Sequence, residues 1–76
     1  MKRRKITISE NDKQILKKYT SDEFYNKYID KDITYNEFLD FQLELNSWIV
    51  YWFRNDEPTQ KSRELQSVYD NIYNDN

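Results

Sequence analysis

The chain has no cysteine, no histidine, no glycine and no alanine, and a single proline, Pro58. Without Cys there are no disulfides, thiolate metal sites or thiol redox steps. Without His there is no imidazole base, and most transition-metal sites are removed. Without Gly the phosphate-cradling loops and dinucleotide turns, which need close backbone approach, are excluded. Long apolar runs are missing too. The longest, Trp48-Ile49-Val50-Tyr51-Trp52-Phe53, is far short of the ~20 residues that span a bilayer. The start Met1-Lys2-Arg3-Arg4-Lys5 looks like the basic end of a signal peptide, but no apolar stretch follows it. The expectation is a soluble, cytoplasmic protein without membrane contact.

Aromatic residues are plentiful. Seven Tyr, four Phe and two Trp stand among 76 residues, and 34% of the chain is charged. That charge would border on disorder, but large aromatic side chains bring enough apolar area for a small core. One domain, 1–76, is expected, with residues 1–8 as a basic arm. The net charge of −2 hides an asymmetry. The arm and the segment after it are basic, the rest is acidic, and no cation occurs between Lys31 and Arg54.

The periodicity predicts a mainly α domain of three to four helices around one long central helix, about 34–54. Residues 5–9 alternate apolar and polar, which suits a short strand or an extended arm. Ser9 can cap a first helix ending near Tyr19. Thr20-Ser21-Asp22-Glu23 has the spacing of a capping box for a short second helix. Thr34-Tyr35-Asn36-Glu37 is a second box, with Ile33 and Phe38 placed as a hydrophobic staple. After the break at Asn55-Asp56-Glu57-Pro58, Thr59 or Asp56 caps a last helix with Leu65, Val68, Tyr69, Ile72 and Tyr73 at helical spacing. The tail 74–76 is expected to fray.

Two apolar stripes mark the long helix. Phe38, Phe41, Leu45, Trp48, Ile49 and Trp52 form one. Tyr35, Leu39, Leu43, Val50 and Phe53 form the other. Together they exceed the ~100° arc of an ordinary surface helix. Such a helix is either central or buries its second face in a partner, a second copy of the chain included.

Three groups carry the functional expectation. Glu37, Asp40 and Glu44 form an acidic ridge, where like charges cost tenths of a kcal/mol that a purely structural surface would avoid. A row of carboxylates on a rigid helix can occupy a basic channel built for DNA. Trp48, Tyr51 and Trp52 are interface-type anchors. Gln42-Leu43-Glu44-Leu45 is similar to the Gln-Leu-x-Leu core of peptides that bind bacterial sliding clamps, although Asn46 stands where Phe usually follows and the segment reads as helical. The basic arm, Lys2 to Lys5, could contact nucleic acid and makes a small DNA-binding regulator the alternative. An acidic, aromatic second helix fits a groove poorly, so nucleic acid ranks below protein as partner. No catalytic, metal or cofactor residues are expected, and no enzyme activity.

Lys, Asn, Tyr and Ile make up 30 of the 76 residues, a bias toward AT-rich codons. With the short, acidic, aromatic body this set of traits resembles the small early host-takeover proteins of phages of low-GC Gram-positive bacteria, and among them the sliding-clamp inhibitors of staphylococcal phages. That resemblance implies a non-enzymatic inhibitor acting in the host cytoplasm on a protein of DNA replication, transcription or defence, with the clamp favoured. Glu37, Asp40, Gln42, Leu43, Glu44, Trp48, Tyr51 and Trp52 would carry the contact.

Overall fold

A computed structural model describes residues 2–76 and contains four helices: α1 Glu10–Tyr19, α2 Asp22–Tyr28, α3 Tyr35–Tyr51 and α4 Gln60–Asp75. The body is elongated, 42 × 24 × 22 Å. α4 lies against both α3 and α1, and α2 bridges α1 and α3.

Hydroxyl caps start every helix. Ser9 accepts the Asp12 N–H at the head of α1. At α3 the box is complete: the Glu37 N–H donates to Thr34 Oγ1 at 3.2 Å, and the Thr34 N–H donates to Glu37 Oε1 at 3.1 Å. Such reciprocal bonds satisfy two otherwise orphaned donors. α4 repeats the motif with Thr59 and Ser62.

The box expected at Thr20 does not form. Thr20 instead closes α1, its N–H and its hydroxyl both donating to the Leu16 carbonyl, and Ser21 caps α2 by accepting the Phe24 N–H. α3 ends three residues before Arg54, with Trp52 as its C-cap. A two-residue hairpin follows, in which Arg54 and Glu57 exchange both backbone hydrogen bonds across Asn55 and Asp56. Both turn residues have positive φ, 51° and 62°, as a primed turn requires. In a chain without glycine these positions, and Asp30 at φ 60°, fall to Asn and Asp, whose short polar side chains tolerate the left-handed region best.

No strand forms over residues 5–9. The arm makes a single bridge, Arg4 with Ile33, through two 3.0 Å backbone bonds. The tail does not fray either. α4 runs to Asp75, and the Asn76 side chain accepts the Thr7 N–H at 2.9 Å while donating to the Thr7 carbonyl at 3.0 Å.

The core joins Leu16, Phe24, Tyr28, Phe41, Leu45, Ile49, Leu65, Val68 and Ile72 with Ile6 of the arm and Ile29 and Ile33 of the turn before α3. Phe41 is its centre. Its ring lies 5.5 Å from Phe24, 5.3 Å from Tyr28 and 6.2 Å from Phe38. Among the described residues, no helix is long and apolar enough to cross a membrane.

Candidate functional site

The two stripes of α3 have different fates. Phe41, Leu45 and Ile49 are buried, with Phe38, Trp48 and Trp52 half-buried beside them. The second stripe faces outward: Tyr35 is 70% exposed, Leu39 40%, Leu43 69% and Val50 55%. These four share one edge of the helix at spacings of four, four and seven. At ~100° per residue they fall within roughly 80° of arc. α3 therefore is not wrapped on all sides by its own domain. Its outer edge is an apolar strip about 25 Å long at 1.5 Å per residue. Phe53, the last residue assigned to this stripe, lies beyond the helix and turns half into the body.

The acidic ridge flanks this strip, and its three carboxylates are in different states. Glu37 is held by the Thr34 box and by Arg3, at 3.4 Å. The Thr34 backbone N–H, the Thr34 hydroxyl and the Arg3 charge together hold its carboxyl below the ordinary 4.5. Glu44 accepts the Tyr28 hydroxyl proton bond and meets Lys27 at 3.5 Å. Burial first, and the Glu44 carboxylate second, keep the Tyr28 hydroxyl protonated above its usual range. Asp40 is exposed and has no cation partner among the described residues. The cations that approach the ridge come from the arm and from α2, not from α3 itself.

The lowered carboxyl of Glu37 makes a testable link to pH. A depressed folded-state value stabilises the fold above the unfolded value and loses that contribution as pH falls through the folded one. The Glu37→Gln variant, which keeps a side-chain acceptor for the box, is expected to lose stability less steeply than the parent between pH 5 and 3. Urea midpoints at several pH values measure this. Parallel curves for the two proteins would remove Glu37 as a contributor to acid unfolding.

The tryptophans part company. The Trp52 indole N–H donates to the Tyr19 carbonyl at 2.8 Å, and Lys61 Nζ stands 4.3 Å over its ring. Trp52 thus clamps α1 and α4 to the end of α3. Trp48 sits next to Tyr51, ring centres 5.3 Å apart, at a shallow dip lined by Ser47, Trp48 and Tyr51. Tyr51 is 66% exposed, and at ~100° per residue it stands with Asp40 and Glu44 on the acidic side of α3 rather than on the apolar strip. Leu43 lies on the strip, and Gln42 is half-buried between the strip and the core, next to Tyr35 and Ile49 at ~100° per residue. Gln42, Leu43, Glu44 and Leu45 are helical and point in different directions, with Leu45 fully buried. They do not form the extended line that a clamp-binding peptide presents.

A second feature was not foreseen. The arm, the Ile33-Thr34 turn, the first turn of α3 and Asn76 enclose a groove of about 430 Å³. Tyr35 lines it and also begins the outer strip, so the two features are contiguous. Arg3 and Arg4 are already engaged, with Glu37 and the Asn76 carbonyl, whereas Lys2 and Lys5 have no acidic partner among the described residues. The arm's alternating pattern hinted at order, but only its long-range bonds to Ile33 and Asn76 create the groove.

Comparison with known proteins adds nothing to this geometry: no family model matches the chain, and neither a curated protein nor a solved structure matches it.

Proposed function

We propose that the protein is a non-enzymatic, phage-type inhibitor that binds a host protein of DNA replication, transcription or defence, the sliding clamp first among them, and blocks its DNA channel. The observation that carries this reading is the outer face of α3. Tyr35, Leu39, Leu43 and Val50 remain exposed on a rigid helix that bears acids and no cation. Exposed apolar patches bounded by polar residues mark interaction surfaces. The apolar strip supplies the adhesion. Asp40, with the exposed parts of Glu37 and Glu44, steers the approach to a basic channel mouth. Division of labour follows from the ion pairs: two carboxylates are partly screened by Arg3 and Lys27, so charge guides the encounter more than it holds the complex.

Binding to immobilised sliding clamp tests the reading. The expected result is saturable binding that duplex DNA competes away. Association should slow as the Debye length falls from ~10 Å at 0.1 M to ~3 Å at 1 M salt. Binding indifferent to duplex DNA would remove channel occupancy. No binding to the clamp would remove the clamp as the target. Sedimentation velocity on the free protein separates the competing use of the same face, since a homodimer sealed through α3 would leave no strip to dock.

A further inference from the structure

The groove beside the arm is chemically unlike the rest of the surface. The protein is acidic overall, yet none of the groove's lining residues is acidic. Lys2, Arg4 and Lys5 stand around it, and Ile6, Ile33 and Phe38 give it an apolar floor. Its volume, about 430 Å³, suits a few side chains rather than a folded surface. A ligand here must bring negative charge together with an apolar body.

The backbone narrows the class further. Arg4 spends its N–H and C=O on Ile33, on one edge of the arm. Thr7 spends both of its groups on the Asn76 side chain, whose amide acts there as a neighbouring strand residue would. Lys5 lies two residues before Thr7, and in an extended chain such residues share an edge. Neither the N–H nor the C=O of Lys5 has a protein partner among the described residues. The arm therefore offers an open rung beside one already filled, next to a cationic, apolar-floored groove.

We propose that this groove binds an extended acidic peptide segment of a partner protein. The segment pairs its backbone with Lys5, sets a carboxylate against Lys2 or Lys5, and seats an apolar side chain over Ile6, Ile33 and Phe38. Strand addition of this kind draws affinity from main-chain bonds and selectivity from the side-chain pockets. A nucleic acid strand is disfavoured, because Glu37 and Asp40 on the adjoining turns of α3 repel a polyanion, whereas a peptide can place its charges only where the cations are. The site shares only Tyr35 with the outer strip of α3 and needs none of Leu39, Leu43 or Val50, so the two proposals can be tested apart.

The test is an amide chemical-shift titration of the full chain with an acetylated, amidated probe peptide, Glu-Leu-Asp-Phe-Glu-Leu-Asp. The expected result is saturable movement at Arg4, Lys5, Ile6, Ile33 and Phe38, with Leu43, Val50 and Trp52 still. The double variant Lys2→Glu, Lys5→Glu alters two exposed side chains and should weaken binding by about tenfold or more, given two reversed charge pairs. The same peptide N-methylated at alternate residues cannot complete the rung and should bind more weakly still. Unmoved groove amides would overturn the proposal. So would equal binding of the methylated probe. Tighter binding of laurate, or of a thymidine oligonucleotide, would assign the groove to a fatty acid or to single-stranded nucleic acid instead.

Discussion

Replacing Phe41 by Ala is expected to destabilise the fold by about 3–5 kcal/mol, the usual range for deleting a fully buried Phe. The ring is wholly inaccessible and touches aromatic neighbours from α2 and from the first turn of α3. Removing it leaves Phe24 and Tyr28 without the partner that ties α2 to α3. A domain of this length has roughly 4–11 kcal/mol in total, at 0.05–0.15 kcal/mol per residue. The variant is therefore expected to be largely unfolded well below the parent's urea midpoint, or unfolded outright at 37 °C. Tyr35→Ala is the matched control. It removes a similar ring that is 70% exposed, and its stability should change by no more than about 0.5 kcal/mol. Far-ultraviolet circular dichroism through a urea series reads both. A Phe41→Ala loss below 1 kcal/mol would mean that the α2–α3 seam is not where the core lies.

Local signals placed the helices because the caps are side-chain chemistry. A hydroxyl that accepts an N3 amide is visible as Ser or Thr at the right spacing, and Ser9, Thr34 and Thr59 all cap as their positions suggest. Thr20 misleads because Ser21 offers the same oxygen one residue later, and the choice between them is settled by which carbonyl of α1 is left to satisfy. The end of α3 was equally hidden. Nothing in Trp52-Phe53-Arg54 forbids helix, and the stop comes from a hairpin whose Asn55 and Asp56 adopt positive φ at a cost that the paired Arg54 and Glu57 backbones offset. Both surprises at the ends of the chain, the seated arm and the pinned Asn76, rest on contacts 29 to 72 residues apart in sequence. No window of neighbouring residues can contain them.

The candidate site was legible in outline and not in its electrostatics. The spacing divided α3 into two apolar stripes but left open whether its own domain covers the second, and of Tyr35, Leu39, Leu43 and Val50 only Leu43 stood among the expected contact residues. Charge was harder. The ridge looked unscreened because α3 bears no cation, yet Arg3 and Lys27 reach Glu37 and Glu44 from other elements. Trp52 had the composition of an interface anchor, but its indole N–H needed an acceptor, and Tyr19 supplies one inside the fold. Under the proposed reading, the weight thereby moves from the ridge to the strip, and from Trp52 to Leu43.

That shift sets the sharper of the two functional expectations. Leu43→Asp combined with Val50→Asp should abolish detectable binding to the partner, the clamp in the first instance, while leaving the fold intact. Both side chains are more than half exposed, so stability should move by about 0.5 kcal/mol per site or less. Burying a Leu side chain in an interface is worth about 1.5–3 kcal/mol, roughly ten- to a hundredfold in affinity. An aspartate in its place adds the cost of stripping water from a charge without a partner. Asp40→Asn, in contrast, removes a charge and no apolar area. It should slow association at low salt, by an amount that vanishes at 1 M, and leave the dissociation rate nearly unchanged. The two variants separate the mechanisms on one instrument. If Asp40→Asn destroyed binding and the double aspartate variant did not, the carboxylates would be the adhesive and the strip would be idle.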